Sequence, residues 1–294
     1  LEEYPVFENQ TVSTSSVKKF GKISFSRFST EGPVEYKLTL DKEARHHGDL
    51  LYMLENIFLP FTEKVEFREG QLPIITSALM RNNTIGLLPT GSGKSVCFQL
   101  CILLQPSLSF VVSPIKALMS DQKADLDAVL INKTDFLNSD LSPLQQDEVL
   151  SRFALGKCLF IYVSPERFQI QKFREVISEI YNQKSFAYAV IDEAHCLSEW
   201  GHDFRTSYLN LSRAINRFAP QAKYLGVTAT ASINVLKDLA IEFDVDEIDI
   251  KSPSSFTRDE LRFEVIDDEG SKDNALISLL EKLDQKWDFF HFHV

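Results

Sequence analysis

Short, wholly apolar runs recur along this chain, and each is followed by a longer stretch with a helical pattern. Continuous rather than alternating apolar residues are typical of strands that are buried on both faces of a sheet. Strands separated by helices join in parallel, so the sequence predicts an α/β fold: a parallel, doubly wound sheet with helices on both faces. The predicted strands cover residues 84–88, 108–112, 159–163, 188–191 and 224–227.

The sequence predicts three parts. Residues 1–48 hold short amphipathic runs between turn-forming residues, which indicates a small β-containing accessory segment. Residues 49–265 open with a helical pattern and contain all of the predicted strands. A serine-rich stretch at 251–257 is typical of a linker, and residues 266–294 hold the rest of the linker and a predicted helix near 274–283.

Composition limits the environment and the partners. The chain has 294 residues, of which 44% are hydrophobic and 25% charged, which is ordinary for a globular protein. Neither a signal peptide nor an apolar run near the roughly 20 residues of a membrane span is visible. We therefore expect no membrane partner and an intracellular location, in the cytoplasm or nucleoid, or in the nucleus of a eukaryote. The net charge of -11 argues against a broad basic surface but does not exclude a nucleic-acid partner, because backbone amides and a few cations can hold a strand.

A glycine-rich loop between the first predicted strand and a predicted helix has the pattern of a phosphate-binding P-loop. Glycines in it let successive N–H groups point inward, and the helix that begins near Lys94 adds its positive end. The pattern places Lys94 on the β- and γ-phosphates of ATP and the Ser95 hydroxyl on Mg²⁺. Leu88 stands where the strict pattern has glycine; the alternative is a turn that only caps a helix. The other predicted nucleotide-binding residues of the loop are Thr90, Gly91, Ser92 and Gly93.

Two carboxylates directly follow the predicted strand 188–191. A carboxylate at the end of a buried strand can reach Mg²⁺ at a neighbouring P-loop, which is the role predicted for Asp192. Glu193 is predicted to orient and deprotonate the attacking water beside the γ-phosphate, so Lys94, Asp192 and Glu193 form the predicted catalytic set. Alone, this Asp-Glu-Ala-His stretch can equally be a polar strand end; the P-loop upstream favours the catalytic interpretation.

The residues after this tetrapeptide, 196–205, resemble the aromatic-rich loop of RecQ helicases. Further similarity to RecQ helicases follows the order of their motifs and covers roughly residues 61–265. The matching stretches are 67–71, 113–122, 137–139, 162–167, 228–231, 255–258 and 261–262. The resemblance implies the first RecA-like, ATP-binding domain of a DEAH-box DNA helicase that moves 3′ to 5′ on single-stranded DNA, unwinds duplexes, and serves DNA repair and recombination.

The resemblance also implies roles for individual residues. Gln71 would read the adenine edge and Arg68 would pack against the ring, whereas Lys64 replaces the usual stacking aromatic residue and would relax nucleotide selectivity. Exposed aromatic residues can stack on unpaired bases for about 1–3 kcal/mol each; the alternative is that Trp200 and Phe204 are core residues. Lys116 is either a phosphate contact or a solvated lysine. The implied nucleic-acid and coupling residues are Lys116, His195, Trp200, His202, Phe204, Arg205, Thr228 and Thr230.

RecQ-like motors use a second RecA-like domain in cis, whose arginine completes the γ-phosphate site. Its motifs are expected beyond Val294, so this chain alone is expected to bind ATP weakly, to hydrolyse it slowly and not to unwind DNA. The segment 1–48 is a candidate site for protein partners. Two rival functions stay open: a double-strand DNA translocase, and an ATP-gated nucleic-acid-binding subunit of a larger complex. RNA as the track is disfavoured by the loop after His195.

Overall fold

The computed structural model describes residues 67–105, 107–128, 131, 133–197, 210–256 and 272–284. The predicted accessory segment 1–48 and residues 198–205 of the predicted aromatic loop lie outside the described residues. The chain forms two compact units, Leu1–Ser254 and Ser255–Val294. In the part of the chain that the structure describes, no helix combines the length and the apolar character needed to cross a membrane.

A seven-stranded sheet forms the frame of the first unit, in the order β3-β4-β2-β5-β6-β1-β7. Every pair of neighbouring strands is parallel. The predicted α/β fold with a parallel sheet is confirmed. The strands are β1 (Thr84–Leu87), β2 (Leu108–Val112), β3 (Thr134–Leu137), β4 (Phe160–Val163), β5 (Phe186–Asp192), β6 (Lys223–Thr228) and β7 (Ile250–Lys251).

Helices connect the strands, and short 3₁₀ turns lie at 165–169, 194–197 and 247–249. The helices of the first unit are α1 (Gln71–Leu79), α2 (Lys94–Leu103), α3 (Lys116–Ala128), α4 (Pro143–Ala154), α5 (Gln171–Gln183), α6 (Leu211–Phe218) and α7 (Ile233–Phe243). In the described part of the second unit, residues Lys272–Asp284 form helix α8, which matches the predicted helix near 274–283.

Two apolar clusters cover the two faces of the sheet. Phe110 belongs to one cluster and Val111 to the other, as do Ile161 and Tyr162, because successive side chains of a strand point to opposite faces. The first cluster reaches helices α4 to α7, and the second reaches α1, α2 and α3. Burial on both faces explains why these strands are apolar throughout.

The sequence prediction missed the two edge strands, β3 and β7. Each pairs with one neighbour, β3 with β4 and β7 with β1. β3 carries the polar residues Thr134 and Asp135, and β7 has two residues, so neither shows the apolar run of a central strand. The predicted linker at 251–257 is wrong at its first residue, because Lys251 pairs with Gly86 in the sheet.

Parallel pairing brings the carboxyl ends of the strands to one edge of the sheet, where ligands of such folds bind. Polar side chains collect there and are almost fully buried. Ser113 follows β2, Asn138 follows β3 and Ser164 follows β4, while Asp192 and Thr228 end β5 and β6. Buried polar groups have a cost unless they are hydrogen-bonded, so this edge carries a site rather than a continuation of the core.

A close approach of α1 to β1 gives a test of the packing. A Cβ atom on Gly86 would lie 2.5 Å from Cδ1 of Ile74. We expect Gly86→Ala to lower the free energy of unfolding by about 1–3 kcal/mol through overpacking. Ile74→Val alone should cost about 0.5–1.5 kcal/mol. In urea unfolding, the double variant should lose less free energy of unfolding than the two single variants lose together, because valine lacks the Cδ1 atom that the new Cβ would meet. Losses that add up would contradict this packing.

Candidate nucleotide-binding site

The P-loop connects β1 to α2 in a tight turn. The carbonyl of Pro89 accepts bonds from the Ser92 amide at 3.1 Å and from the Ser92 hydroxyl at 2.6 Å. Gly91 and Gly93 each have φ of 79°, the left-handed conformation that side chains disfavour. Helix α2 begins directly after Gly93, at Lys94, with Ser95 as its second residue. The loop therefore has the backbone shape that presents N–H groups to a phosphate.

Two side chains near the start of α1, those of Arg68 and Gln71, donate hydrogen bonds to backbone carbonyls of the P-loop. Gln71 is 1% exposed, and its Nε2 donates to the carbonyls of Ser92 at 2.8 Å and Gly93 at 3.1 Å. Its Oε1 accepts a bond from the amide of Arg68, whose guanidinium donates to the carbonyl of Gly91. The structure thus places both residues on the P-loop backbone, while their contacts with adenine stay a prediction.

Glu193 lies opposite the P-loop lysine. It follows the last residue of β5 with φ of 49°, a conformation that costs a non-glycine residue on the order of 1 kcal/mol or more. Its Oε1 lies 3.1 Å from the Nζ of Lys94, and both side chains are partly shielded from solvent. The structure therefore brings together two residues of the predicted catalytic set, although β1 and β5 are separated in the sheet by β6.

Asp192, the third residue of that set, is buried at the end of β5. Its Oδ1 accepts a bond from the Glu193 amide at 3.1 Å, and its Oδ2 accepts one from the Ser113 hydroxyl at 3.5 Å. Burial raises the pKa of Asp192 to about 6; the neighbouring charge of Glu193 adds to this rise, and Lys94 opposes it. Loss of solvation on burial is therefore the main cause of the raised pKa.

The turn that follows β5, which carries Glu193 and is called here the acidic turn, is connected to β6 through His195 and Thr228. Thr228 donates its single hydroxyl proton to the carbonyl of Thr230 at 3.0 Å. The 2.7 Å contact between its Oγ1 and Nδ1 of His195 is therefore a bond donated by Nδ1–H. The same Nδ1 lies 3.3 Å from Oε2 of Glu193. The carbonyl of Thr228 also accepts a bond from the amide of Leu88 at 2.9 Å, which links this network to the start of the P-loop.

A second group of polar residues lies at the ends of β2, β3 and β4. Lys116 forms an ion pair with Asp140 at 2.8 Å, and both side chains are exposed. The amide of Asp140 donates to Oδ1 of Asn138 at 3.0 Å, and the nearly buried guanidinium of Arg167 donates to the carbonyl of Asn138. Sequence reasoning gave no role to Asp140 or Arg167; their position directly after strand ends was the available signal.

The remaining predicted residues are distributed as follows. Thr90 and Gly91 are exposed at the tip of the P-loop. Trp200, His202, Phe204 and Arg205 lie outside the described residues. The four cysteines are free thiols, and three of them are buried: Cys97, Cys101 and Cys158.

The fold and the loop together define a P-loop protein with a RecA-like sheet. The chain belongs to the DEAD/DEAH box helicase family, because residues 68–239 match the model of that family. In fold it is similar to the crystal structure of the DUF1998 helicase MrfA bound to DNA and AMPPNP, with a TM-score of 0.54 at 17% identity. That match covers 87% of this chain and 36% of the other.

Curated relatives confirm the resemblance to RecQ helicases. The chain is 37% identical to the ATP-dependent DNA helicase RecQ of Haemophilus influenzae, over 67% of this chain and 31% of that protein. It is 34% identical to the RecQ-like DNA helicase blm-1 of Caenorhabditis elegans, over 75% of this chain and 22% of that protein. A probable ATP-dependent DNA helicase RecS of Bacillus subtilis is also 34% identical, over 78% of this chain and 45% of that protein. The chain therefore spans less than half the length of each of these relatives.

The raised pKa of Asp192 predicts a pH effect on stability without Mg²⁺ or nucleotide. Its ordinary value is 3.8 and its folded value about 6, so the folded state binds this proton more tightly. That contribution to stability is complete below pH 4 and is lost as the pH rises through 6. Asp192→Asn should therefore gain stability relative to the wild type across this window, by up to about 3 kcal/mol. Urea unfolding at several pH values measures the difference.

The control for this measurement is Asp121→Asn, which changes an exposed aspartate of α3. Its stability should follow the wild-type pH profile. Parallel profiles for Asp192→Asn and the wild type would show that burial does not raise this pKa.

Proposed function

We propose that this protein is a RecQ-like, ATP-dependent DNA helicase and that the chain supplies its ATP-binding RecA-like domain. The observation that carries the proposal is the meeting of Lys94 and Glu193 at 3.1 Å, at the sheet edge where the P-loop turns. A cation for the phosphates and a carboxylate for water are thereby placed side by side. The names of the curated relatives, all helicases, support the same function.

The residues present fit bound Mg²⁺. The Ser95 hydroxyl and the Asp192 carboxylate are oxygen donors, which this cation prefers. Asp192 is buried, and burial disfavours its ionised form, so a bound cation would stabilise that form. No group of three or more His, Cys, Asp or Glu side chains that could hold a metal is present among the described residues. Phosphate oxygens and water would therefore complete the coordination of Mg²⁺, which neutralises charge on the β- and γ-phosphates when bound.

The protein residues would act in a simple order. When Lys94 turns to the triphosphate, Oε1 of Glu193 loses its ion-pair partner and becomes free to accept a proton from water. Oε2 of Glu193 lies 3.3 Å from Nδ1 of His195, so the imidazole, which is bound to Thr228, lies against the carboxylate and limits its movement. His195 is also bound to Thr228 at the end of β6. A shift of β5 or β6 would therefore alter the position of Glu193, the proposed base. This contact supports the predicted coupling role of His195, Thr228 and Thr230.

Single-stranded DNA is the proposed track. Lys116 and the turn after β3 lie at the same edge of the sheet as the P-loop, beyond strands β2 and β3. We propose that they contact the phosphates of the DNA strand, together with residues 200–205 of the aromatic loop. A second RecA-like domain in cis would supply the arginine that completes the γ-phosphate site, worth on the order of 10³–10⁵ in rate. Such a protein acts where DNA is held, in the cytoplasm or nucleoid, or in the nucleus of a eukaryote.

Hydrolysis is tested with the full-length protein in the presence and absence of single-stranded DNA. We expect DNA to stimulate phosphate release, and Glu193→Gln to reduce that release by about 10²–10⁴-fold, since the base is lost. Glu193→Gln should still bind ATP, whereas Lys94→Ala should lose binding. ATP binding without DNA-stimulated turnover would favour the ATP-gated binding subunit instead. Stimulation by duplex DNA without strand separation would favour the double-strand translocase.

The Lys116–Asp140 ion pair gives a test of the DNA contact. Asp140→Asn releases Lys116, so single-stranded DNA should bind about two- to fivefold more tightly, the range of an exposed ion pair. Lys116→Ala should weaken binding and reduce the slope of log affinity against log salt by about 0.7. Fluorescence anisotropy with labelled DNA at several salt concentrations measures both effects.

Lys172→Ala is the matched control, because Lys172 forms a similar exposed ion pair with Asp147 at 2.5 Å. It should leave the affinity and the salt dependence unchanged. If Lys116→Ala behaves like Lys172→Ala, Lys116 is a solvated surface lysine.

A further inference from the structure

The four residues 68–71 contact two separate parts of the first unit. Arg68 and Gln71, at the two ends of this segment, donate to carbonyls of the P-loop. Glu69 and Gly70, between them, contact the last residues of the unit, Pro253 and Ser254. The segment 252–254, called here the exit segment, leads from β7 into the second unit. One short turn thus lies between the nucleotide loop and the point where the chain leaves the sheet.

The contact of Glu69 with Ser254 is a pair of hydrogen bonds. Oε1 of Glu69 accepts one bond from the amide of Ser254 at 3.0 Å and another from its hydroxyl at 2.5 Å. The two residues are 185 positions apart in the chain. These bonds lower the pKa of Glu69, so its carboxylate is ionised at neutral pH, and bonds to a charged acceptor are stronger than neutral ones.

Gly70 allows the exit segment to come close. Its φ is 84°, in the left-handed region. A Cβ atom at this position would lie 2.7 Å from Cδ2 of Leu88 and 3.3 Å from the backbone nitrogen of Pro253. Any other residue would therefore be strained and would press on both the P-loop side and the exit segment.

The chain before the exit segment is held firmly. Lys251 pairs with Gly86 in the sheet, and the nearly buried carboxylate of Asp249 accepts a bond from the Ser77 hydroxyl at 2.8 Å. Because β7 is fixed in this way, the direction in which the chain leaves the sheet is decided within residues 252–254. Glu69 is the side chain that binds the end of this segment.

We propose that Glu69 is a positioning residue that links nucleotide binding at the P-loop to the placement of the exit segment. The link runs from the carbonyls of Ser92 and Gly93 to Gln71, along the backbone of the turn 68–71 to Glu69, and from there to Ser254. This proposal rests on the proposed ATP site. Since thermodynamic coupling is reciprocal, ATP should order the exit segment, and a bound exit segment should strengthen ATP binding.

The amide of Ser254 reports on this link directly, because it donates to Glu69. Hydrogen exchange is measured on the full-length protein, with and without ATP and Mg²⁺. In the wild type, ATP should slow exchange at Ser254. In Glu69→Ala the amide should exchange faster, and ATP should no longer slow it. Exchange at Ser254 that ATP leaves unchanged in the wild type would overturn the link.

A double-mutant cycle measures the same link through ATP affinity. Glu69→Ala removes both bonds and should raise the dissociation constant for ATP about fivefold, at the low end of known couplings. Ser254→Ala removes only the hydroxyl bond and keeps the amide bond, so its loss should be smaller. The double variant should be no weaker than Glu69→Ala alone, because without the Glu69 carboxylate the Ser254 hydroxyl has nothing left to bind there. Glu69→Gln keeps an acceptor oxygen and should retain most of the affinity. Glu148→Ala, a change of an exposed glutamate in α4, should bind ATP like the wild type.

The outcomes separate the two proposals. A wild-type protein that binds no ATP would contradict the proposed function itself. ATP binding that is normal in both single variants, or losses that add in the double variant, would leave the proposed function intact and overturn the link through Glu69.

Discussion

Parallel pairing of β6 between β1 and β5 is the constraint on which the site depends. It places the P-loop, which follows β1, and the acidic turn, which follows β5, on either side of Thr228 at the end of β6. The two side chains proposed as catalytic must then reach across one strand, and the 3.1 Å contact between Lys94 and Glu193 shows that they do. A change in strand order would separate them, however well each loop were formed.

Burial gives the neighbouring carboxylates different properties. Asp192 is almost enclosed at the strand end, which raises its pKa, whereas Glu193 extends toward Lys94 and remains partly exposed. A carboxylate that is costly to ionise without a cation suits metal binding, and a more accessible one suits proton transfer. One step along the backbone would thus divide the two proposed roles between adjacent residues.

The central strands and the nucleotide loops could be predicted because their signals are local. Apolar runs mark strands that are buried on both faces, and Lys94, Asp192 and Glu193 lie in short patterns. The edge strand β3 was missed because it is half polar. The contacts of Lys116 with Asp140 and of Glu69 with Ser254 could not be predicted, since they depend on how strands and the exit segment are placed in space.

The left-handed backbone of Glu193 has a consequence for how this sequence can change over time. Glycine or asparagine adopts that conformation with less backbone strain than glutamate. Neither supplies a carboxylate for Lys94 or for the proposed role as a base. Backbone strain and the proposed role therefore act in opposite directions at one residue, and a glutamate that persists there in descendants of this protein is what the proposed hydrolysis predicts.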